Sequence, residues 1–325
     1  MYDFVTFGTA TRDVFMRSPA FDTHDCPNSP SGSDIGLHLG SKIEVSELSL
    51  DTGGGATNAA MTFRRLGYRT ATVVSIGRDP SGRDITEELE ANGIGTDFVQ
   101  RHPTELTAYA VILLTEGGER TVLVYRGAAG LLSADSVPWG KIKARWFYVT
   151  SISDRLDMLE RVIRQARECG AKIAWNPGSR ELKHGWETLK PLISQTDVFN
   201  LNLEEARKLT GKDGLTAGEA LSELRGMPRR AAVVTDGIRG AYAADSAGSW
   251  HSGVLDYPKV NATGAGDAFG SGLVAGLVKK DDLPFGMAVG TWNAAGVVQI
   301  TGAKKGILSS FPPDAQVAQV PIEKL

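Results

Sequence analysis

Short apolar runs rich in β-branched and aromatic residues alternate with longer segments of helical periodicity along most of the chain. Parallel strands joined by crossover helices leave this pattern. The runs at 2–8 (YDFVTFG), 70–77 (TATVVSIG), 145–150 (RWFYVT), 171–177 (AKIAWNP), 197–201 (DVFNL) and 231–235 (AAVVT) predict core strands. Between them, TNAAMTFRRLG predicts a helix ending at Gly67, and SGRDITEELEANG one that starts at Ser81 and stops at Asn92-Gly93. SDRLDMLERVIRQARECG predicts a third, opened by a Ser-Asp cap and closed at Gly170. The expected class is α/β, with a central, mostly parallel sheet flanked by helices.

Two segments break the alternation. Residues 14–52 are rich in Pro, Ser, Asp and Gly before ending in KIEVSELSL, and residues 107–126 (TAYAVILLTEGGERTVLVYR) predict two strands joined by a Gly-Gly turn. Together they predict a small β-sheet, drawn from 14–52 and 104–127, projecting from a core built of 1–13, 53–103 and 128–325. Acidic and glycine-rich motifs on both of its flanks favour a lid over a ligand site, and the same sheet is a candidate homodimer interface.

Composition narrows the partners. The chain has 325 residues, 42% of them hydrophobic, enough to bury a large core as one large domain or two modest ones. Its 35 Lys and Arg against 38 Asp and Glu give a net charge of −3, with no long basic block to follow a nucleic-acid backbone or an anionic membrane. The expected partner is a small molecule. The start of the chain lacks a basic leader followed by an apolar run, and no stretch of about 18 apolar residues occurs, so a cytoplasmic location is expected. Cys26 and Cys169 match neither a disulfide framework nor a metal-ligand spacing.

The chemistry concentrates in four places. In TGAGDAFGSGLVAG a glycine turn runs into an apolar helix, so the amides of Gly264, Ala265, Gly266 and Asp267 would stand at a helix N-terminus, where an anion such as phosphate is favoured. Asp267 beside such a cradle is awkward unless it accepts a proton from a nucleophile attacking the anion. The plainer reading makes it a charge that complements the helix dipole. In NLNLEEARKLTG, Asn202 and Glu205 stand three apart as a helix begins; they suit a hydrated Mg²⁺ beside phosphates, and equally a capping box. In VVTDGIRG, Thr235, Gly237 and Gly240 follow a strand and would wrap a nucleotide or form a hairpin turn. Near the start, Asp13 lies past the first strand, and Gly53, Gly54 and Gly55 lead to Asn58, a set suited to a neutral polyol or to an ordinary helix start.

In this order the segments resemble the ribokinase or PfkB family of carbohydrate kinases, over essentially the whole chain. The family's D-T-x-G-A-G-D signature is matched by Asn261-Ala262-Thr263-Gly264-Ala265-Gly266-Asp267. The resemblance implies that Asp267 is the catalytic base and that 264–266 form the anion hole. It implies Asn202 and Glu205 at Mg²⁺ and phosphate, and Asp13, Gly53, Gly54 and Asn58 at the sugar. It also implies Thr235, Gly237 and Gly240 at the nucleotide, with Asn293 beside the adenine. Asn261 and Ala262 replace an Asp-Thr pair near the place where many relatives bind a monovalent cation, so weak dependence on K⁺ is expected. Gly55 stands where sugar-specific ribokinases have lysine. Arg126, in VLVYRGAAG, resembles an arginine of acid-sugar kinases and would favour a carboxylate or phosphate on the substrate.

The implied activity is transfer of the γ-phosphoryl group of ATP, with Mg²⁺, to a primary hydroxyl of a sugar or sugar-like molecule, with nucleosides as the alternative acceptors. A dinucleotide-dependent oxidoreductase fits poorly, because GAGDAFG lacks the G-x-G-x-x-G spacing and is followed by Lys279 and Lys280 rather than by a ribose-binding acid. A sugar sensor without turnover is the third reading, and the intact Asp267 speaks against it.

Overall fold

The computed structural model describes residues 1–27, 32–115 and 120–325. The expected Gly117-Gly118 turn lies outside them. In chain order the strands are β1 (Tyr2–Phe7), β2 (Thr11–Arg17), β3 (Thr23–Asp25), β4 (Ser33–Ile35), β5 (Glu47–Gly53), β6 (Thr70–Val73), β7 (Ser75–Gly77), β8 (Gln100–His102), β9 (Ala108–Leu114), β10 (Arg120–Tyr125), β11 (Ala144–Val149), β12 (Lys172–Trp175), β13 (Val198–Asn202), β14 (Ala231–Thr235), β15 (Ala241–Asp245), β16 (Gly248–Ser252) and β17 (Ile322–Lys324). The α-helices are α1 (Gly55–Arg65), α2 (Pro80–Ala91), α3 (Leu156–Cys169), α4 (Gly185–Ile193), α5 (Leu203–Thr210), α6 (Ala217–Leu224), α7 (Ala265–Lys280), α8 (Leu283–Val298) and α9 (Asp314–Val317).

Nine strands form the main sheet in the order β17-β16-β15-β14-β13-β12-β11-β1-β6. It is parallel from β6 to β14, and the last three strands add antiparallel. Successive side chains on a strand point to opposite faces, and the core divides accordingly. Val5, Phe147, Trp175 and Phe199 pack under α3, α4, α5 and α6 on one face. Phe4, Trp146, Tyr148 and Val198 pack under α1, α7 and α8 on the other.

Helices α7 and α8 lie against each other through glycine. An ideal Cβ on Gly276 would stand 2.7 Å from the Gly286 Cα, and one on Gly272 3.0 Å from the Gly290 Cα. The small residues of GSGLVAG therefore serve a close helix pair as well as the turn before them.

The second sheet has the order β10-β9-β2-β5. Its boundaries differ from the expected ones. Pairing of β2 with both β5 and β9 begins at Thr11, which places Asp13 in the small sheet, and β5 runs on to Gly53. Phe15, Ala110, Ile112 and Leu114 bury one of its faces. The 70–77 run also divides: the chain leaves the main sheet after Val73, the Val74 carbonyl takes the Gln100 amide, and β7 pairs with β8.

Two helix starts differ from expectation. The cap of α2 is Asp79, whose carboxylate accepts from the Gly82 amide, rather than Ser81. Ahead of α3, Ser153 and Asp154 take left-handed φ values of 56° and 74° and cap nothing. The Glu181 carboxylate holds that turn instead, accepting from the amides of Ile152 at 2.8 Å and Asp154 at 3.0 Å.

Gly276→Val is expected to force α7 from α8 and lower stability by about 1–3 kcal/mol, read as a fall in the urea midpoint at unchanged slope.

Candidate functional site

Asn202 and Thr235 stand at the C-terminal ends of β13 and β14, the usual ligand edge of an open α/β sheet, and the other predicted residues come from α1, α7, α8 and the small sheet. Gly264 caps α7 with φ 82°. A Cβ there would stand 2.7 Å from that of Ala303, so backbone conformation and packing both require glycine. The amides of Gly264, Gly266 and Asp267 have no hydrogen-bond partner among the described residues, whereas the Ala265 amide donates to the Ala262 carbonyl at 3.3 Å. The cradle is thus one amide smaller than expected. A Cβ on Gly266 would meet nothing within 4 Å, so this side of the turn is open to a ligand.

Asp267 extends from the first turn of α7, half-buried. Asn58 Nδ2 donates to its Oδ2 at 2.8 Å, across a sequence separation of 209. Burial raises the Asp267 carboxyl above its usual range, and the bond from Asn58 works the other way by favouring the charged form. Beneath α7, the fully buried Tyr148 hydroxyl has no hydrogen-bond partner among the described residues, and burial followed by the Asp267 charge raises its pKa. A Cβ at Gly270 would lie 2.7 Å from that hydroxyl and 2.5 Å from Asn200 Nδ2, so glycine lets α7 settle onto both.

One flank of the candidate site comes from the small sheet and α1. Asp13 is buried, and Thr11 Oγ1 donates to its Oδ1 at 2.8 Å. Burial is the main cause that pushes the Asp13 carboxyl up to about 6; the Thr11 bond and the Lys304 charge oppose it. Gly53 leaves room for Asp13, whose Oδ2 would stand 2.0 Å from a Cβ there. Gly54, with φ 96°, passes over Thr9 as the cap of α1.

The opposite flank comes from β13 and β14, whose register sets Asn202 beside Thr235. Asn202 and Glu205 form a complete capping box: the Glu205 amide donates to Asn202 Oδ1 at 2.8 Å and the Asn202 amide to Glu205 Oε2 at 2.9 Å. Burial raises the Glu205 carboxyl to about 7, against the Asn202 amide bond, and the Asp267 charge adds to the rise. Among the described residues no group of three or more His, Cys, Asp or Glu could hold a metal ion. Mg²⁺ is commonly held by one or two carboxylates plus phosphate oxygens and water, and Glu205 is the candidate carboxylate.

Gly237, with φ 55°, has open space where its side chain would be, while Gly240 is demanded by the fold: a Cβ there would stand 1.9 Å from the Ser252 carbonyl. Asn293 is fully buried; its Nδ2 donates to Thr62 Oγ1 at 3.1 Å and to the Ala268 carbonyl at 2.8 Å, and its Oδ1 accepts from the Leu308 amide at 2.9 Å. Its side chain thus ties α8 to α1, α7 and the following turn. Asn261 Oδ1 accepts from the Thr263 amide and hydroxyl, leaving its buried Nδ2 without a partner, and an unpaired donor is poor company for a cation.

Arg126 is half-buried without an ion pair among the described residues; burial, then the charge of Arg180, lower its pKa, and Glu181 opposes them. The Glu181 carboxylate is already committed, to Ser151, Ile152, Asp154 and Gly178. Sequence reasoning missed Arg180, Tyr148 and Lys304, because nothing local to them foretells burial or neighbours. A cavity of about 450 Å³, lined by Gln100, Arg101, His102 and Ser133 among others, touches none of the predicted site residues.

A glycine-capped helix aimed at a cleft, with an aspartate in its first turn and a nine-stranded mixed sheet behind it, defines a ribokinase-like fold. Solved structures superpose on it throughout. A ribokinase from Giardia lamblia gives a TM-score of 0.79 at 20% identity, over 98% of this chain and 99% of that one. A Burkholderia thailandensis nucleoside kinase in complex with inosine gives 0.75 at 19%, over 97% and 96%. The pfkB family carbohydrate kinase model matches residues 29–309, and the chain belongs to that family. It is 31% identical over 291 residues to fructokinase-1 of Zea mays, which spans 84% of this chain and 88% of that protein. It is 26% identical over 281 residues to the aminoimidazole riboside kinase of Salmonella typhimurium, spanning 81% and 85%.

Replacing the donor at position 58 isolates its effect on the acid. Asn58→Leu is expected to move the Asp267 carboxyl pKa further upward, because the charged form loses its hydrogen bond, and carboxyl ¹³C titration by NMR reads the change.

Proposed function

We propose that this protein is an ATP-dependent kinase that phosphorylates a primary hydroxyl of a sugar or sugar-like molecule. The observation that carries the reading is the Asn58–Asp267 hydrogen bond, which fixes a carboxylate between the open amides of α7 and the acceptor loop. In this mechanism the acceptor lies on Asp13 and the Gly53-Gly54 turn, its hydroxyl against Asp267. Asp267 takes the hydroxyl proton as the oxygen attacks, and the amides of Gly264, Gly266 and Asp267 meet charge on the transferred group. Mg²⁺, when bound with the nucleotide, neutralises phosphate charge, and Glu205 would hold it, through water. Thr235 and Gly237 flank the nucleotide, beside Asn202. Positioning carries most of such a reaction.

The curated relatives include fructokinases, which favour a hexose acceptor. A nucleoside is the second reading, because one relative is a riboside kinase and one fold neighbour is a nucleoside kinase with inosine. Arg126, half-buried and without an ion pair among the described residues, would select for an acidic substituent on the acceptor. The partnerless Nδ2 of Asn261 supports weak dependence on K⁺. The small sheet acts as the lid, its outer strand available for pairing with a second copy, and the cytoplasm is the compartment that supplies ATP. Among the described residues no helix is long and apolar enough to cross a membrane.

Asp267→Asn keeps shape and removes basicity. With the acceptor found by an ADP-release screen of pentoses, hexoses, sugar acids, sugar phosphates and nucleosides, kcat should fall roughly 10²–10⁴-fold with little change in nucleotide affinity. A helix-terminal charge alone would cost about 0.3–1 kcal/mol of stability and spare turnover. Near-normal kcat in this variant sinks the reading.

The pH profile follows from three raised carboxyls, those of Glu205, Asp13 and the base Asp267. All must be ionised to work, so log kcat/KM should hold at alkaline pH, bend downward near 7 as Glu205 protonates, and steepen below about 6 as Asp13 follows, with protonation of Asp267 adding to the fall. Asp13→Asn should weaken acceptor binding and remove the lower bend. A wild-type profile that stays flat down to about pH 5 contradicts these assignments.

A further inference from the structure

The turn after α8, residues 299–308, touches both halves of the site. On one flank Ala303 packs on Gly264, leaving 2.7 Å between its Cβ and an ideal Cβ on the glycine. On the other, Lys304 is 2% exposed. Its Nζ donates to Thr52 Oγ1 at 2.6 Å and to Glu88 Oε2 at 2.7 Å. The Thr52 hydroxyl donates in turn to Glu88. Lys305 Nζ pairs with Asp51 Oδ2 at 3.2 Å. From beneath, Arg65 donates to the carbonyls of Lys304 and Ile307, and Asn293 accepts from Leu308.

A buried ammonium is a poor device for stability alone, since an apolar side chain of similar volume commonly does as well. What the ionic group adds is a fixed meeting point: Lys304 must sit where Thr52 of β5 and Glu88 of α2 both reach it. Thr52 is bonded to Gly53 of the acceptor turn, and Lys304 to Ala303, the residue that presses on the cap of α7. We propose that Lys304, held by Thr52 and Glu88, is a positioning residue that sets the amide cradle of α7 relative to β5, with Ala303 as the contact that transmits it. Movement of β5 then reaches the first turn of α7 through two adjacent residues. The charge of Lys304 also reaches Asp13, where it favours the ionised carboxylate. The catalytic consequence rests on the phosphoryl-transfer reading; the mechanical coupling does not.

Amide hydrogen exchange on the full chain without ligand tests the coupling. Lys304→Met/Glu88→Gln removes both charges together, so neither is left buried alone. Thr52→Val is the milder variant, cutting only the link to β5 and keeping the ion pair. In both, exchange in residues 262–268 should speed up, by about tenfold in the double variant, while β11 to β13 stay as protected as in the wild type. A purely structural Lys304 would loosen 299–308 and the end of α2 and leave 262–268 unchanged, and that result overturns the proposal. If the double variant does not fold, unchanged exchange at 262–268 in Thr52→Val overturns it alone. Where an acceptor gives turnover, Thr52→Val should lower kcat with the KM for MgATP within about threefold of wild type. Failure of the kinase reading would appear separately, as no ADP release by the wild type with any acceptor of the screen.

Discussion

The hydrogen bond from Asn58 to Asp267 is the constraint on which the site depends. It joins the first helix after the small sheet to the helix that opens with the glycine turn, across 209 residues. The contact forms only if α1 and α7 pack on the same face of the main sheet, and the shared core of Phe63, Tyr148, Phe269 and Leu273 puts them there. The glycines follow from that packing. Gly270 lets α7 rest on Tyr148, Gly272 and Gly276 let α8 approach, and Gly264 yields to Ala303. Each removes a side chain where a neighbouring residue must pass, and together they seat the first turn of α7, with its carboxylate and the three amides that have no partner among the described residues.

The acids of the candidate site repel one another. Asp13, Glu205 and Asp267 are all raised by burial, and Asp267 acts on each of the other two. Carboxyls raised in this way give up stability at neutral pH, where ionisation is opposed by the fold, and stability alone does not account for them. The proposed transfer, which brings a nucleophile and an anion together beside the amides of α7, would give them a use.

The sequence made the class of fold legible because buried parallel strands and capped helices each leave a periodic mark. It also made legible the glycine turn that opens α7, since a glycine run ahead of an apolar stretch marks a helix start. Boundaries were less readable. Asp13 belongs to the small sheet because β2 pairs in register from Thr11, a fact held in β5 and β9 rather than in the residues around it. Ser153 and Asp154 look like a helix cap, yet a carboxylate contributed by Glu181 bends them into a turn. Asn293 was assigned to the nucleotide by family position, whereas its burial among Thr62, Ala268 and Leu308 depends on how three segments meet.

Lys304 shows the same limit from the other side. In TGAKKGIL two adjacent lysines look alike, and a turn after a helix usually leaves both in water. The structure separates them: one is buried against Thr52 and Glu88, and the other remains half-exposed beside Asp51. The difference arises because α2 and β5 bring an acid and a hydroxyl to one point, and only a charge seated there satisfies both. A tertiary arrangement of this kind is written in four places along the chain, so it becomes visible only when α1, α2, β5 and the turn after α8 are in place together.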